Sequence, residues 1–241
     1  MNKTLLMIAT GWLLVHTAYA QDPAATEDWS KKPVIVTPGC HVAPPSDALV
    51  LFRTGKDLAN WTGSEGPAKW KTRCRSMTVN GTGDIMTREK FGSCQMHVEF
   101  RTPSKLSEEG GQGRGNSGVY IQCNYELQVL DSYENETYYN GQAGSVYKQS
   151  APLVNASRKH GRWQVYDIIF HAPQFASDGT LIKPATITAF HNGVLIQDHF
   201  ELKGTTVYAG YPKYEAHGDM PLLLQDHGNP VSYRNVWIRK L

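Results

Sequence analysis

Alternating apolar and polar positions are the main pattern of the chain, and they favour β-strands. The clearest case is VYIQCNYELQVLDS at 119–132, where every second residue from Val119 to Val129 is apolar or Cys. This pattern predicts one long strand whose apolar side lies in a core and whose polar side carries Glu126 and Gln128. Asp131 breaks the alternation, and a β-bulge after Gln128 would return it to the polar side.

Further short runs, separated by Gly, Asn, Asp and Pro, predict more strands. They lie at 48–52, 75–80, 83–87, 94–102, 161–172, 184–200 and 231–241. Asn192-Gly193, between two of these apolar runs, predicts a tight hairpin with a type I′ turn. The chain shows no long amphipathic helix pattern. Many short strands with frequent turn signals favour an all-β fold, a sandwich or jelly roll built as one domain.

The amino-terminal segment has a different texture. Residues 1–20 combine Lys3, an apolar run and a final Ala-Tyr-Ala, which predicts a secretory signal peptide cleaved after Ala20. Residues 21–45 are rich in Pro and small polar residues and predict an extended leader. The folded domain is then expected at 46–241, in a periplasmic or extracellular protein. No other segment is long and apolar enough to span a bilayer.

Charge and cysteine content narrow the choice of function. The formal net charge is +2, and loss of Lys3 with the signal peptide leaves +1. This near-neutral balance gives no support for nucleic acid or an anionic membrane as a partner. Four cysteines, at 40, 74, 94 and 123, allow three complete disulfide pairings in an exported chain. The absence of a CxxC motif argues against a zinc ribbon.

The glycine-rich stretch GGQGRGNSG at 110–118 has two interpretations. It does not match a phosphate-binding loop, because neither GK[ST] nor a helix pattern follows it. It is either a flexible loop that precedes a strand or a loop at a binding groove. In the second case Arg114 and Asn116 would offer hydrogen-bond donors to a ligand.

Several long motifs resemble one known family. They are SDALVLFRTGKDLANW, GRGNSGVYIQ, YELQVLDSYENETYYNGQAGSVY, LVNASRKHGRWQVYDIIFHAP, FHNGVLIQ and PLLLQDHGNPVSYRNVWIRKL. Together they are similar to the 3-keto-disaccharide hydrolase family, also known as domain-of-unknown-function family 1080, over about residues 46–241. The resemblance implies a concanavalin-A-like jelly roll of two antiparallel sheets with a concave carbohydrate groove. It also implies cleavage of glycosides whose sugar is oxidised at C3. The chain departs from the family pattern in LFRTGKDL and in its extra cysteines, which leaves the preferred substrate open.

The polar side of the predicted strand carries the candidate chemistry. The spacing E-x-Q-x-x-D looks like the E-x-D-x-x-E pattern of laminarinase-type glucanases, but its middle acid is Gln128, which disfavours that mechanism. A C3 ketone offers another route, because it acidifies the C2 proton. A base removes that proton, an acid assists the departing aglycone, and water adds later. Glu126, Asp131 and His227 are the candidates for base and acid.

Further residues are candidates for holding the sugar or the developing oxyanion. They are Arg114, Asn116, Gln128, Lys148, Gln225 and Asp226. A divalent cation with carboxylate and imidazole ligands could take the place of these donors. The motif QDHGNP at 225–230 could equally be a simple turn capped by Asp226.

Two alternatives to this enzyme remain open at this point. One is a non-catalytic carbohydrate-binding module on the same fold, and the other is a conventional glucanase.

The alternation of apolar and polar residues places Trp163 and Trp237 on the apolar sides of their strands, so both are expected in the core.

Overall fold

The structure of the protein is a computed structural model. It describes residues 27–28, 30, 32–39, 43–105 and 109–241. The predicted signal peptide and Cys40 lie outside the described residues. The chain divides into two units, Met1–Ile35 and Val36–Leu241. In the described part of the first unit, Val34 and Ile35 are exposed.

Short strands account for nearly all regular structure in the second unit. The strands of the described residues are β1 Leu49–Phe52, β2 Trp61–Gly63, β3 Gly66–Pro67, β4 Lys71–Arg73, β5 Ser76–Thr78, β6 Ile85–Phe91, β7 Cys94–Arg101, β8 Ser117–Ile121, β9 Tyr125–Val129, β10 Gln164–His171, β11 Gln174–Phe175, β12 Leu181–Lys183, β13 Thr186–His191, β14 Val194–Glu201, β15 Met220–Leu224 and β16 Ser232–Lys240. Helical structure in the described part of the chain is limited to 3₁₀ turns at Gly55–Asn60, Gly111–Gly113 and Tyr139–Gly141. None of these helices has the length and apolarity needed to cross a membrane.

The strands form two large antiparallel sheets. One sheet has the order β14-β13-β10-β7-β16-β5-β4, with β1 also paired to β16. The other has the order β3-β2-β6-β15-β8-β9, and β11 and β12 form a separate hairpin. This arrangement confirms the predicted all-β sandwich. Strand β15, whose sequence MPLLL lacks alternation, was not among the strands predicted from the sequence.

An apolar core lies between the two sheets. Met96, Val98 and Phe100 of β7 alternate into it, because successive side chains of a strand point to opposite faces. From the other sheet, the ring of Tyr125 lies 5.6 Å from that of Phe170 in β10. These contacts join the sheets and leave the polar sides of both facing away from the core.

The stretch at 119–132 is a hairpin, so the prediction of one long strand is wrong. β8 and β9 pair antiparallel and are joined by a turn in which Gln122 and Cys123 have φ of 53° and 55°. The backbone N–H of Asn124 donates to the carbonyl of Ile121 at 3.2 Å. Because the turn has three residues, Ile121 pairs with Tyr125 and the alternation continues through it unbroken. The pattern therefore hid the reversal of the chain.

The prediction of a bulge after Gln128 is also wrong. Ser117 pairs with Val129 and Gly118 with Gln128 in continuous register. Strand β9 simply ends at Val129, and Asp131 lies in the segment beyond it.

A bulge does occur in β16, and it changes the position of Trp237. Arg234 pairs with Glu99 and Trp237 with His97, so β16 carries one extra residue between the two pairs. Asn235, within the bulge, has φ of 45°. Trp237 consequently lies on the side opposite the core and stacks on His97 at 5.1 Å.

The prediction of a core position is wrong for Trp163, which is half-buried. Trp237 is buried, at 8% exposed, but it lies on the opposite face of the sheet and outside the core cluster of the described residues.

Other local predictions have clear outcomes. Asn192 and Gly193 have φ of 53° and 83° and form the predicted hairpin turn between β13 and β14. Cys74, Cys94 and Cys123 are free thiols. The carboxyl-terminal part of the predicted leader is closed by paired hydrogen bonds between Thr37 and Ser46, at 3.0 and 3.1 Å.

Candidate functional site

Glu126 is the most distinctive group on the polar side of the six-stranded sheet. It is 4% exposed, and its register partner on β8 is Tyr120, whose hydroxyl donates to Glu126 Oε2 at 2.8 Å. Gly118 lies against both side chains. A Cβ atom on it would lie 2.7 Å from Glu126 Oε1 and 2.7 Å from the Tyr120 ring. The hairpin, with a glycine at this position, therefore creates the space that the buried carboxyl and the phenol share.

The surroundings of Glu126 favour its protonated form. Burial raises the pKa of Glu126 to about 7, although the hydrogen bond from Tyr120 lowers it. Burial also raises the pKa of Tyr120, so the phenol remains a hydrogen-bond donor. The backbone around the carboxyl is fixed, because Glu126 N donates to Thr206 Oγ1 at 3.0 Å and Tyr147 N donates to Glu126 O at 3.2 Å. Glu126 is thus a carboxyl group that can change protonation state near neutral pH.

Gln225 belongs to the same group of contacts. Its backbone N–H donates to the carbonyl of Gly118 at 3.0 Å, and its Nε2 donates to Tyr120 Oη at 3.4 Å. Its buried Oε1 has no hydrogen-bond partner among the described residues. Gln225 therefore places a side-chain amide beside the Tyr120–Glu126 pair.

Asp226 serves the turn that follows β15. Its Oδ2 accepts from the backbone of Gly83 at 3.1 Å, and its Oδ1 accepts from that of Gly228 at 3.0 Å. This geometry agrees with the interpretation of QDHGNP as a capped turn.

Gln128 and Asn116 lie in a second group, beneath two loops. Gln128 is 1% exposed and donates from Nε2 to Gln112 Oε1 at 3.0 Å. Asn116 Nδ2 donates to the carbonyl of Gln112 at 2.8 Å, and Gln112 Nε2 donates to that of Gly141 at 2.9 Å. These amides fix the glycine-rich loop to the sheet. The sequence analysis missed Gln112, whose place in a glycine-rich stretch gave no sign of these contacts.

Arg114 and Asp131 form a third group. Arg114 Nε lies 3.0 Å from Asp131 Oδ2, and its guanidinium also donates to the carbonyls of Tyr133 and Glu134. Both side chains line a cleft of about 460 Å³ that is also lined by Asn229. The ion pair fastens the segment after β9 to the glycine-rich loop, and no described contact joins it to Glu126.

Lys148 lies at the exposed margin of the Glu126 group. Its backbone follows Tyr147, and its Nζ donates to the carbonyl of Tyr208 at 2.5 Å. The same nitrogen lies 5.6, 5.7 and 4.2 Å from the ring centres of Tyr138, Tyr147 and Tyr208. The sequence analysis missed these tyrosines, although Tyr138 lies in the tyrosine-rich segment YENETYYN, which was a visible signal for it.

His227 is exposed in the turn two residues after Gln225. In the described part of the chain its side chain has no recorded hydrogen-bond partner. The predicted residues thus share the six-stranded sheet and its loops but form separate groups. In the first group, Tyr120 forms hydrogen bonds with both Glu126 and Gln225. In the second, Gln112 forms hydrogen bonds with both Gln128 and Asn116. In the third, Arg114 forms an ion pair with Asp131. The sequence analysis placed Glu126, Gln128 and Asp131 on one polar side, and the convergence of the candidate residues on a single groove stays a prediction.

The described residues contain no group of three or more His, Cys, Asp or Glu side chains placed to hold a metal ion.

Comparisons with known proteins identify the family. Residues 47–239 match the family described as "3-keto-alpha-glucoside-1,2-lyase-like domain". A search of curated proteins gives no match. Among solved structures, a "putative glycosyl hydrolase" from Parabacteroides distasonis is 46% identical, with 91% of this chain and 97% of that chain covered and a TM-score of 0.87.

A second structure from the same organism, with the same description, shares the fold at 19% identity. It has a TM-score of 0.58, with 81% of this chain and 94% of that chain covered. The resemblance noted in the sequence is confirmed, and the domain is of the carbohydrate-active, glycosyl-hydrolase-like kind. The chain therefore belongs to the 3-keto-alpha-glucoside-1,2-lyase-like family.

Proposed function

We propose that this protein cleaves the glycosidic bond of 3-keto-glycosides, with Glu126 as the base that removes the C2 proton. The observation that carries the proposal is a buried carboxyl whose pKa is raised to about 7 beside the phenol of Tyr120. A base whose pKa lies near the working pH is efficient in proton transfer. The family description, which names a 3-keto-alpha-glucoside and a 1,2-lyase, supports this chemistry.

The reaction can be written as an elimination followed by hydration. The Glu126 carboxylate takes the C2 proton, and the C–H electrons form the enolate of the C3 ketone. The enolate electrons then form the C1–C2 double bond as the C1–O bond breaks, and the departing oxygen gains a proton. Water adds its oxygen to C1 and a proton to C2 if the outcome is hydrolysis. Without this addition the protein is a lyase.

Other residues have proposed roles around this step. His227, exposed in the adjoining turn, is the candidate acid for the departing oxygen. Lys148 and Gln225 are candidates for holding the sugar, since the Oε1 atom of Gln225 has no hydrogen-bond partner among the described residues. Because Glu126 is 4% exposed, we expect the exposed Lys148 and Tyr138 to shift when substrate enters. Asp131, which is ion-paired with Arg114, is proposed to hold the neighbouring loops in place.

A second candidate function is carbohydrate binding without cleavage. Tyr139, Tyr208 and Tyr211 are 82%, 78% and 90% exposed, and exposed aromatic rings suit the apolar faces of sugars. Such a module would need no titratable carboxyl, so Glu126 decides between the two candidates.

The deciding experiment is product analysis on a 3-keto-disaccharide and its unoxidised parent, with and without a chelator. We expect release of the second sugar from the oxidised compound alone. Loss of turnover with chelator would assign a divalent cation to the reaction. Binding of both compounds without cleavage of either would replace the proposal with the binding module. Cleavage of the parent at an equal rate would favour a conventional glucanase.

Replacing Tyr120 by Phe is expected to move the acid limb of the pH–rate profile to higher pH. The phenol stabilises the Glu126 carboxylate, so its loss raises the pKa of Glu126 above about 7. A hydrogen bond to a charged group contributes about 1.5–3 kcal/mol, which corresponds to roughly 1–2 pH units. kcat/KM measured from pH 5 to 9 should therefore fall at pH 7 and recover near pH 9. Tyr211→Phe is the control, because Tyr211 is 90% exposed and makes no described contact with Glu126. An unshifted limb in Tyr120→Phe would count against Glu126 as the base.

A further inference from the structure

The eight-stranded sheet has a cleft on the face turned away from the core. On β7, Met96, Val98 and Phe100 point into the core, so His97 and Glu99 point to the opposite face. This outer cleft has a volume of about 850 Å³, a size typical of ligand sites. Its lining includes Gln95, His97, Trp163, Arg234, Asn235 and Trp237.

A connected set of polar side chains forms the floor of the outer cleft. His97 Nδ1 lies 2.6 Å from Asp167 Oδ1, and Arg234 Nε donates to Glu99 Oε2 at 2.6 Å. Asn235 Nδ2 donates to Glu99 Oε1 at 2.9 Å, which the bulge in β16 makes possible. These bonds orient side chains from three adjacent strands, so the floor is rigid.

The charges of the floor balance each other. Burial lowers the pKa of His97, but hydrogen bonds to Asp167 and Glu99 outweigh it and raise the pKa to about 9. Burial raises the pKa of Glu99, but bonds from His97, Asn235 and Arg234 lower it to about 2. At neutral pH, His97 and Arg234 are thus cations that offset the carboxylates of Asp167 and Glu99.

The margin of the outer cleft adds positive charge to this balanced floor. Arg234 lies 4.1 Å from the centre of the Trp163 ring, and in the described part of the chain its terminal Nη atoms have no recorded partner. Arg158, also part of the lining, is exposed and donates from Nη1 to the carbonyl of Trp163 at 3.2 Å. Lys159 and Arg162 follow in the same exposed segment. Two pre-oriented guanidinium groups therefore face the cleft. Arg234 and His97 are already balanced by Glu99 and Asp167, so Arg158 is the added positive charge of the lining.

We propose that the outer cleft binds an acidic saccharide, whose carboxylate or sulfate meets Arg158 and Arg234. Guanidinium forks match the geometry of such anions, and the amides of Gln95, Asn192 and Asn235 suit sugar hydroxyls. The Trp163 ring already contacts the guanidinium groups of Arg101 and Arg234, so it fixes the donors and does not stack on the sugar. This site is on the other sheet from Glu126 and is independent of the proposed function.

Binding of short saccharides to the full protein, measured by calorimetry, tests the proposal. Three probes are used at equal concentration: tetragalacturonate, whose only anions are carboxylates, a carrageenan tetrasaccharide, whose only anions are sulfates, and neutral maltotetraose. We expect one or both acidic probes to bind and maltotetraose to bind much more weakly, and the preferred probe identifies the anion. Binding of all three with similar affinity, or of none at millimolar concentration, would overturn the proposal.

Variants locate the binding. Arg158→Ala should weaken binding of the preferred acidic probe by about tenfold or more, since the variant loses a charged donor. Arg158 is exposed, so the fold does not require its side chain. Arg234→Lys keeps the charge but loses the fork and should weaken binding as well. Arg73→Ala, an exposed arginine on β4, is the matched control and should bind normally. Cleavage of a 3-keto-glycoside should be unchanged in Arg158→Ala. Equal binding by the Arg158→Ala and Arg73→Ala variants would show that the acidic probes bind elsewhere.

Discussion

Replacing Glu126 by Gln is expected to lower kcat/KM on a 3-keto-glycoside by about 10²–10⁴-fold, the usual contribution of a positioned acid–base group. The amide keeps the size of the side chain and can still accept the hydrogen bond from Tyr120, but it cannot take a proton. Stopped assays of the released sugar measure the effect. Glu89→Gln is a suitable control, because Glu89 is an exposed carboxylate paired with Lys240 at 2.8 Å. Full activity of Glu126→Gln would remove Glu126 from the reaction.

The same variant changes how stability depends on pH. In the folded protein the pKa of Glu126 is raised from 4.5 to about 7, so between these values the folded state holds a proton that the unfolded state has lost. The free energy of unfolding of the wild type should therefore fall as pH rises from about 4.5 to 7, by about 3 kcal/mol for this group. Urea titrations at several pH values should show that this decline is absent in Glu126→Gln. An equal decline in both proteins would contradict the raised pKa.

Replacing Phe170 by Ala is expected to lower the free energy of unfolding by about 3–5 kcal/mol, because it leaves a cavity in a packed core. Phe170 is 0% exposed and its ring contacts that of Tyr125 across the two sheets. Denaturant unfolding followed by circular dichroism measures the loss.

Ile169→Ala is the matched control for this core truncation. Ile169 is adjacent on β10 but is 40% exposed on the opposite face, and its truncation should cost less than about 1.5 kcal/mol. Equal losses in the two variants would contradict the assignment of the two faces of β10.

The fold was predictable because alternation and turn residues act locally. The runs at 94–102 and 161–172 became β7 and β10, and Asn192-Gly193 became a turn with both φ angles positive, as that turn requires. The reversal at Gln122-Cys123 was not predictable in this way, since neither residue favours positive φ. It depends on the pairing of β8 with β9 and β15, which is a property of the whole sheet.

The candidate site was predictable in its residue types more than in its contacts. Glu126 was found from the alternation of apolar and polar residues alone. The three-residue turn leaves this alternation unchanged, so Glu126 still lies on the polar side. Its contact with Tyr120 was missed, since one extended strand would place residues six apart roughly 20 Å from each other. Asp131 and His227 were selected from motifs, and motifs do not specify where a chain lies after its strand ends. The position of Trp237 was missed because the bulge in β16 moves Trp237 to the other face of the sheet. The strongest sequence signal for that bulge is Asn235 alone.

The three-residue turn between β8 and β9 limits how related sequences can vary in length. Deleting one turn residue while the chain still reverses over three residues would shift the register and pair Ile121 with Glu126, so that the carboxylate would enter the core and Leu127 would lie on the polar side. Any change in turn length that keeps Ile121 opposite Tyr125 preserves the side of every β9 residue, because opposite residues of an antiparallel pair share a face. Among homologues that retain the buried carboxyl, we expect the pairing of β8 with β9 to be retained wherever this turn differs in length, whereas loops that bear no such strand should vary freely.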